Sequence, residues 1–418
     1  MVRRTIGQRF GALMSGALTV ALAGLIANVL NLGVSFLIAR RLNPSDYGAY
    51  SQLMGMFFIV ALPGSALSVA VIRRATFYLV QNDEDLIHRW QRRLNHRILR
   101  LAIGFSLIAL LGSLFMAQWL GHRSWLAVWV NTLAAITWAI LNVDRALLQS
   151  RQRYSALATN FILEGFTRTI FMVLLSPFGV TGIVLGLLIG IGLTRLHARR
   201  LVGTKRVDRE GPELERTGIT GDLLIALATL ALLATLQFLD VLLVGRYQSG
   251  VAGSYSAISQ VAKTLVYGAI ILGSFLLPET ALADRRGRDA YRQLGLAGGL
   301  LLIPATVLLG VSEAMPKWLL TTVFGARYAS EWSSMTSLVL AMTFLAGSTL
   351  LATYLLGSGR RWPTAWLALA TFVGLWYLSL SHGRVVETVH RDLMLQIVVF
   401  LGLLAATLVP LKPLEATE

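Results

Sequence analysis

The chain has 418 residues, of which 55% are hydrophobic and only 14% are charged, and its formal net charge at pH 7 is +16. Its mean hydropathy of +0.66 is far higher than a soluble domain of this size requires, so the composition excludes an ordinary soluble protein. The absence of cysteine excludes disulfides, thiolate metal sites and a cysteine nucleophile.

Apolar segments of about 20 residues, the length that crosses a bilayer, follow one another along almost the whole chain. We predict an all-α integral membrane protein, because a lipid-exposed backbone must satisfy its own hydrogen bonds and the alternation typical of membrane β-barrel strands is absent. The first segment is expected to be a retained span and not a cleaved signal peptide, because it is too long. In chain order the twelve predicted spans are 13–39, 48–72, 98–120, 125–147, 156–176, 179–195, 221–245, 252–280, 293–312, 333–357, 362–380 and 393–411.

The positive charge is distributed unevenly between the two sides of the membrane. If the N-terminus is cytoplasmic, most of the 37 Lys and Arg residues fall in cytoplasmic segments, above all in 73–100 and 195–216. This satisfies the positive-inside rule and places both termini in the cytoplasm. The net charge therefore indicates membrane topology, with the lipid bilayer and no nucleic acid as partner.

A sparse sequence pattern occurs twice, 205 residues apart. Arg41, Gly48, Tyr50 and Ser51 recur as Arg246, Gly253, Tyr255 and Ser256. Because each half holds an even number of predicted spans, the two copies enter the membrane in the same sense and are related by a pseudo-twofold axis along the membrane normal. We predict a six-helix lobe over 1–200, a cytoplasmic linker over 201–220 and a second six-helix lobe over 221–418.

Two opposite charges lie inside the predicted second lobe, on either side of one turn. Asp240 and Lys263 fall at similar depth on antiparallel helices, within one or two turns of each other. We expect them to meet at a central cavity, either as a salt bridge or as a proton or cation site that responds to substrate. A neutralising structural pair is the alternative. Their counterparts in the first copy are Ser35 and Phe58.

A second pair of opposite charges lies within the fifth predicted span. Glu164 and Arg168 are four residues apart and share one helix face, so they form a structural ion pair or line the cavity. Arg168 could alternatively bind a diphosphate, because a guanidinium offers a planar set of donors. Asp144 and Arg145, near the inner end of the fourth span, are expected to be solvated.

Polar stripes occur on the first and seventh spans. Asn28 and Asn31 share a face of the first span, and Gln237 lies one turn from Asp240. Both stripes suit either a sugar-binding wall or interhelical hydrogen bonds. Arg41 and Arg246 flank the outer opening of the predicted cavity. They either end helices and extend their charged groups to the membrane interface, or contact phosphate.

The polar segment 81–100 alternates apolar residues with arginine clusters at helical spacing. It is typical of a cationic helix on the inner membrane surface. Such a helix sets the topology and contacts headgroups, or it is a docking surface for a cytoplasmic enzyme or a lipid diphosphate.

Three segments carry a resemblance to a known family. These are RRLNPSDYGAY at 40–50, DVLLVGRYQSGVAGSY at 240–255 and VFGARYASEW at 323–332. In order and spacing they resemble the lipid-linked oligosaccharide flippases of the multidrug/oligosaccharidyl-lipid/polysaccharide exporter superfamily. The resemblance implies two helical lobes around a cavity that faces cytoplasm and periplasm in turn, and a glycan linked to undecaprenyl diphosphate as substrate. It further implies the bacterial inner membrane as location and polysaccharide-assembly proteins as partners.

The leading hypothesis is therefore a secondary transporter for a lipid-linked oligosaccharide, serving surface polysaccharide biosynthesis. The sequence has no Walker motif, so an ion gradient of protons or sodium, the substrate gradient or a partner must supply energy. The alternative is a drug or metabolite antiporter of the same superfamily. A membrane polymerase or ligase is disfavoured, because His382 and His390 are the best candidates for its chemistry, and we predict no enzyme, metal or cofactor.

Overall fold

The computed structural model describes residues 6–80, 84–121, 124–203, 221–283 and 289–408. Over these residues the regular structure is helical, with fifteen α-helices and a few short 3₁₀ turns. The chain divides into two compact units, Met1–Leu230 and Ala231–Glu418.

The first unit is built from seven helices among the described residues, with α6 and α5 at its centre. Helix α6 packs against α1 and α7, and α5 packs against α2, α3, α4 and α7. The helices are α1 (Ile6–Arg41), α2 (Pro44–Ala61), α3 (Pro63–Val80), α4 (Glu84–Leu120), α5 (Trp125–Ser150), α6 (Tyr154–Leu175) and α7 (Gly179–Val202).

The second unit has α13 at its centre. This helix packs against α9, α10, α11 and α15, and α14 packs against α15. The helices, the first of which begins in the preceding unit, are α8 (Gly221–Tyr247), α9 (Ala252–Ala262), α10 (Thr264–Ala283), α11 (Asp289–Ala314), α12 (Pro316–Val323), α13 (Met335–Gly357), α14 (Trp362–Ser379) and α15 (Val385–Leu408).

Ten segments of the described chain are long and apolar enough to cross a membrane. They correspond to ten of the twelve predicted spans, and the all-helical membrane fold is confirmed. The predicted second span is instead divided between α2 and α3. The predicted eleventh span is α14, which is not among these ten segments.

Two predicted spans are interrupted, and the first interruption has a local reason. Pro44 occupies the first turn of α2, where no backbone donor is needed, and the Asn43 side chain accepts a hydrogen bond from the Asp46 amide at 2.8 Å. Helix α2 ends before Pro63, which lacks the amide hydrogen that would continue the helical ladder. The break between α9 and α10 falls at Lys263.

Several helices extend beyond the predicted spans into the polar residues that flank them. Helix α7 continues to Val202 and thereby includes the first two residues of the predicted linker, whose stretch 204–220 lies outside the described residues. Helix α15 begins at Val385, eight residues before its predicted start. The predicted surface helix is not separate from the third span, since residues 84–120 form the single helix α4.

Candidate functional site

The predicted pair of charges in the second lobe is present as a buried ion pair. The Nζ atom of Lys263 lies 3.0 Å from Oδ1 of Asp240, and the two side chains are 2% and 0% exposed. Asp240 lies two turns before the end of α8, and Lys263 lies at the break between α9 and α10. The ammonium also lies 4.8 Å from the centre of the Phe238 ring, which adds a cation–π contact.

Two hydroxyl groups hold the other oxygen of the Asp240 carboxylate. Tyr255 donates to Oδ2 at 2.9 Å and Ser259 donates at 3.2 Å, both from successive turns of α9. Charge-assisted hydrogen bonds of this kind stabilise a buried anion that would otherwise be very costly. The carboxylate is therefore held in a fixed position by three donors.

A second carboxylate belongs to the same cluster and was not predicted. Asp392 on α15 is 1% exposed, and it interacts electrostatically with both Asp240 and Lys263. Gln396, one turn later, donates to its Oδ1 at 3.0 Å, whereas its Oδ2 is buried without a hydrogen-bond partner. The cluster thus combines two carboxyl groups with one ammonium. The four-residue spacing of Asp392 and Gln396 is the sequence signal that could have identified it.

Other polar atoms of the second lobe are buried without a partner among the described residues. The predicted residue Gln237 is 2% exposed, and its Nε2 makes no hydrogen bond. The same holds for the hydroxyls of Ser256 and Ser348 and for Oε1 of Gln396. An unsatisfied buried polar atom costs about 1–3 kcal/mol, so these groups are candidates for contact with an ion or substrate.

The internal repeat places a serine and a tyrosine in the first lobe where the second lobe has Asp240 and Tyr255. These residues are Ser35 and Tyr50, and the Ser35 hydroxyl donates to the Asn31 carbonyl at 3.3 Å. The tyrosine is buried in both copies. Only the second copy therefore carries a charged residue at this position.

The first lobe contains its own buried charge cluster, centred on Glu164. Arg145 contacts Oε2 of this carboxylate at 2.7 Å and Arg168 contacts Oε1 at 3.1 Å, as expected for the predicted pair. Trp138 donates to Oε1 at 2.9 Å. All three charged side chains are at most 7% exposed.

Arg145 is buried, contrary to the expectation that it is solvated. Its Nε donates to Oδ1 of Asn160 at 2.7 Å, and its guanidinium lies 4.1 Å from the centre of the Phe161 ring. Asn160 in turn donates to the Thr194 carbonyl at 3.0 Å, which ties α6 to α7. The neighbouring Asp144 is buried as well and lies 3.8 Å from Arg195.

Two guanidinium groups facing one carboxylate leave this cluster with an excess positive charge. The Nε atom of Arg168 is buried without a hydrogen-bond partner, and its guanidinium lies 5.7 Å from the centre of the Phe57 ring. Its position is set by close packing, because a Cβ atom added at Gly190 would lie 2.8 Å from the Arg168 backbone. Arg168 is thus a fixed, buried donor with unused hydrogen-bonding capacity.

The remaining predicted residues lie at helix surfaces or ends. Asn28 is exposed, and Oδ1 of Asn31 is buried without a partner. Arg41, the last residue of α1, donates to the Val173 carbonyl and to Oγ of Ser176, both at 3.1 Å, and so contacts the end of α6. The Arg246 guanidinium lies 5.3 Å from the centre of the ring of its neighbour Tyr247.

Comparison with known proteins gives similarity in structure only. No sequence-family model and no curated protein sequence matches the chain. An inward-facing multidrug resistance MATE transporter of the MOP superfamily is similar at TM-score 0.69 and 13% identity, over 92% of this chain and 98% of the other. The lipid II flippase MurJ in an inward closed conformation is similar at TM-score 0.70 and 12% identity, over 92% of this chain and 86% of the other. The eukaryotic MATE transporter AtDTX14 is similar at TM-score 0.66 and 15% identity, over 94% of this chain and 96% of the other. The chain therefore has the two-lobed fold of these solved transporters, and the predicted resemblance is confirmed at the level of the fold.

Proposed function

We propose that this protein is a secondary transporter that moves an oligosaccharide linked to polyprenyl diphosphate across the bacterial inner membrane. It would act by alternating access, with both termini in the cytoplasm, and would supply surface polysaccharide biosynthesis together with polysaccharide-assembly proteins. The fold supports transport, because solved proteins that share it include a lipid II flippase and drug transporters.

The excess positive charge around Glu164 is the observation that best supports a diphosphate-linked substrate. A buried cluster of two arginines with one carboxylate carries an excess charge that is costly in a membrane, and such residues usually face a substrate or ion path. The unused Nε of Arg168 and its planar donor set suit the oxygens of a diphosphate. Asn31, with its unpartnered amide oxygen, and Asn28 then offer hydrogen bonds to sugar hydroxyls.

The cluster around Asp240 and Lys263 is proposed to couple transport to an ion. Two carboxyl groups and one ammonium leave one negative charge to be balanced, and a proton or a sodium ion would balance it. Binding or release of that ion would change the contacts between α8, α9 and α15 and so bias the second lobe between two arrangements.

A drug or metabolite antiporter is the second candidate function. Several of the similar solved structures are MATE transporters, and the carboxylate excess of the second lobe suits a cationic substrate. In that case Asp392 and Asp240 would bind the substrate, and Arg168 would have a structural role.

The test combines a deletion strain with variants of Arg168. We expect loss of the gene to cause accumulation of one lipid-linked oligosaccharide on the cytoplasmic leaflet, and the intact gene to reverse it. Arg168→Ala should fail to complement, and Arg168→Lys should complement only in part, because lysine lacks the planar donor set of a guanidinium. Arg361→Ala is the control for loss of a cation. Full complementation by Arg168→Lys would argue against recognition by the guanidinium. Drug sensitivity without any accumulated intermediate would favour the antiporter.

A further inference from the structure

Helix α4 carries a stripe of arginines on one face. Arg89, Arg93, Arg97 and Arg100 follow at spacings of four, four and three residues, which keeps them within about 80° of one another around the helix. The last three are exposed and Arg89 is half-buried. The sequence from 88 to 120 contains no acidic residue, so nothing on this helix segment neutralises the stripe.

A different face of the same helix fixes its orientation. Trp90, Leu94 and Ile98 pack against a buried apolar cluster that includes Leu147 on α5 and Val202 on α7. Gln91 on this packed face is buried and accepts a hydrogen bond at 3.2 Å from Arg151, the residue that follows α5. The arginine stripe therefore points away from the packed side of the helix.

The exposed face of α4 continues from the arginines into an apolar surface. Leu107, Leu111 and Phe115 lie on the same side of the helix as Arg100, at spacings of seven, four and four residues. Their exposed fractions are 57%, 80% and 68%. In a membrane protein, a helix surface this apolar and this exposed contacts lipid acyl chains. Cationic and apolar groups thus follow one line along the helix.

We propose that this face of α4 is a binding site for an anionic glycerophospholipid of the surrounding bilayer. Arg93, Arg97 and Arg100 would bind the headgroup, and the acyl chains would lie along Leu107 and Leu111. Arginines one helical turn apart can share one phosphate, because each offers a fork of N–H donors. Charge complementarity and continuity with the lipid-facing surface both favour a membrane lipid as the occupant.

The test measures lipid binding to the full-length protein by native mass spectrometry. Phosphatidylglycerol is compared with phosphatidylcholine of the same acyl chains, for the wild type and for the triple variant R93Q/R97Q/R100Q. The control R92Q/R199Q/R200Q removes the same charge from exposed arginines outside the stripe. A basic residue near an anionic surface contributes about 1 kcal/mol, which corresponds to about fivefold in affinity.

We expect the stripe variant to lose at least about tenfold in phosphatidylglycerol affinity and the control to lose less than about threefold. The variant R93K/R97K/R100K should retain most of the affinity, which separates loss of charge from loss of folding. Equal losses in the stripe and control variants would overturn the proposal, as would equal binding of both lipids by the wild type. Tighter binding of a prenyl diphosphate than of phosphatidylglycerol at the stripe would overturn it as well, and would assign the surface to the transported lipid instead.

Discussion

The buried cluster of the second lobe predicts an unequal response to removal of its charges. Lys263→Met leaves Asp240 and Asp392 as two buried carboxyl groups without a counter-ion, and breaking a buried ion pair in this way costs about 3–5 kcal/mol. Asp240→Asn still leaves Lys263 with Asp392, and an amide oxygen still accepts hydrogen bonds from α9. Its cost should be only about 1–2 kcal/mol.

The assay is the free energy of unfolding in detergent micelles, measured by denaturant titration for the two single variants and the double variant. The double variant should fall between the two singles, because it leaves one carboxyl group unpaired and not two. Lys317→Met, which removes an exposed lysine, is the control and should cost less than about 1 kcal/mol. Equal costs for Lys263→Met and Asp240→Asn would refute the reasoning, because they would mean that Asp392 does not share the charge of Lys263.

Two further predictions concern packing and hydrogen bonding. In a thermal unfolding assay, Gly190→Ala should destabilise the first lobe by about 1–3 kcal/mol, because the added methyl group would press against α6. Gly192→Ala is the control and should not destabilise it, because a Cβ atom there meets nothing within 4 Å. Tyr255→Phe should cost about 1.5–3 kcal/mol, since it removes a donor to a charged group. Tyr50→Phe should cost only about 1 kcal/mol in the same unfolding measurement, since the first copy has the neutral Ser35 in place of Asp240. Equal costs of the two tyrosine changes would contradict the charge-assisted bond to Asp240.

The contacts that could be predicted from the sequence are those whose partners lie close together along the chain. The pair of Glu164 and Arg168 follows from one helical turn, and the pair of Asp240 and Lys263 follows from two helices joined by one tight turn. In both cases helical geometry alone brings the charges together. The fold class was also predictable from local sequence, because a long run of apolar residues by itself indicates a helix that crosses the membrane.

Arg145 and Asp392 were not predictable in this way. Each lies near a predicted span end, where an ionisable residue is ordinarily solvated, and each is buried by contacts from a different helix. The contact of Arg145 with Glu164 depends on how α5 packs against α6, and that of Asp392 on how α15 lies near α8 and α9. Such packing is decided by side-chain shapes far apart in sequence.

The hydroxyl groups that α9 directs at Asp240 limit the order in which charges can enter this cluster. A carboxylate that arrives at position 240 finds two hydroxyl donors already in position. A lysine that arrives at position 263 before both Asp240 and Asp392 finds no anion to balance it. The lower-cost evolutionary path to the ion pair therefore begins with an acid.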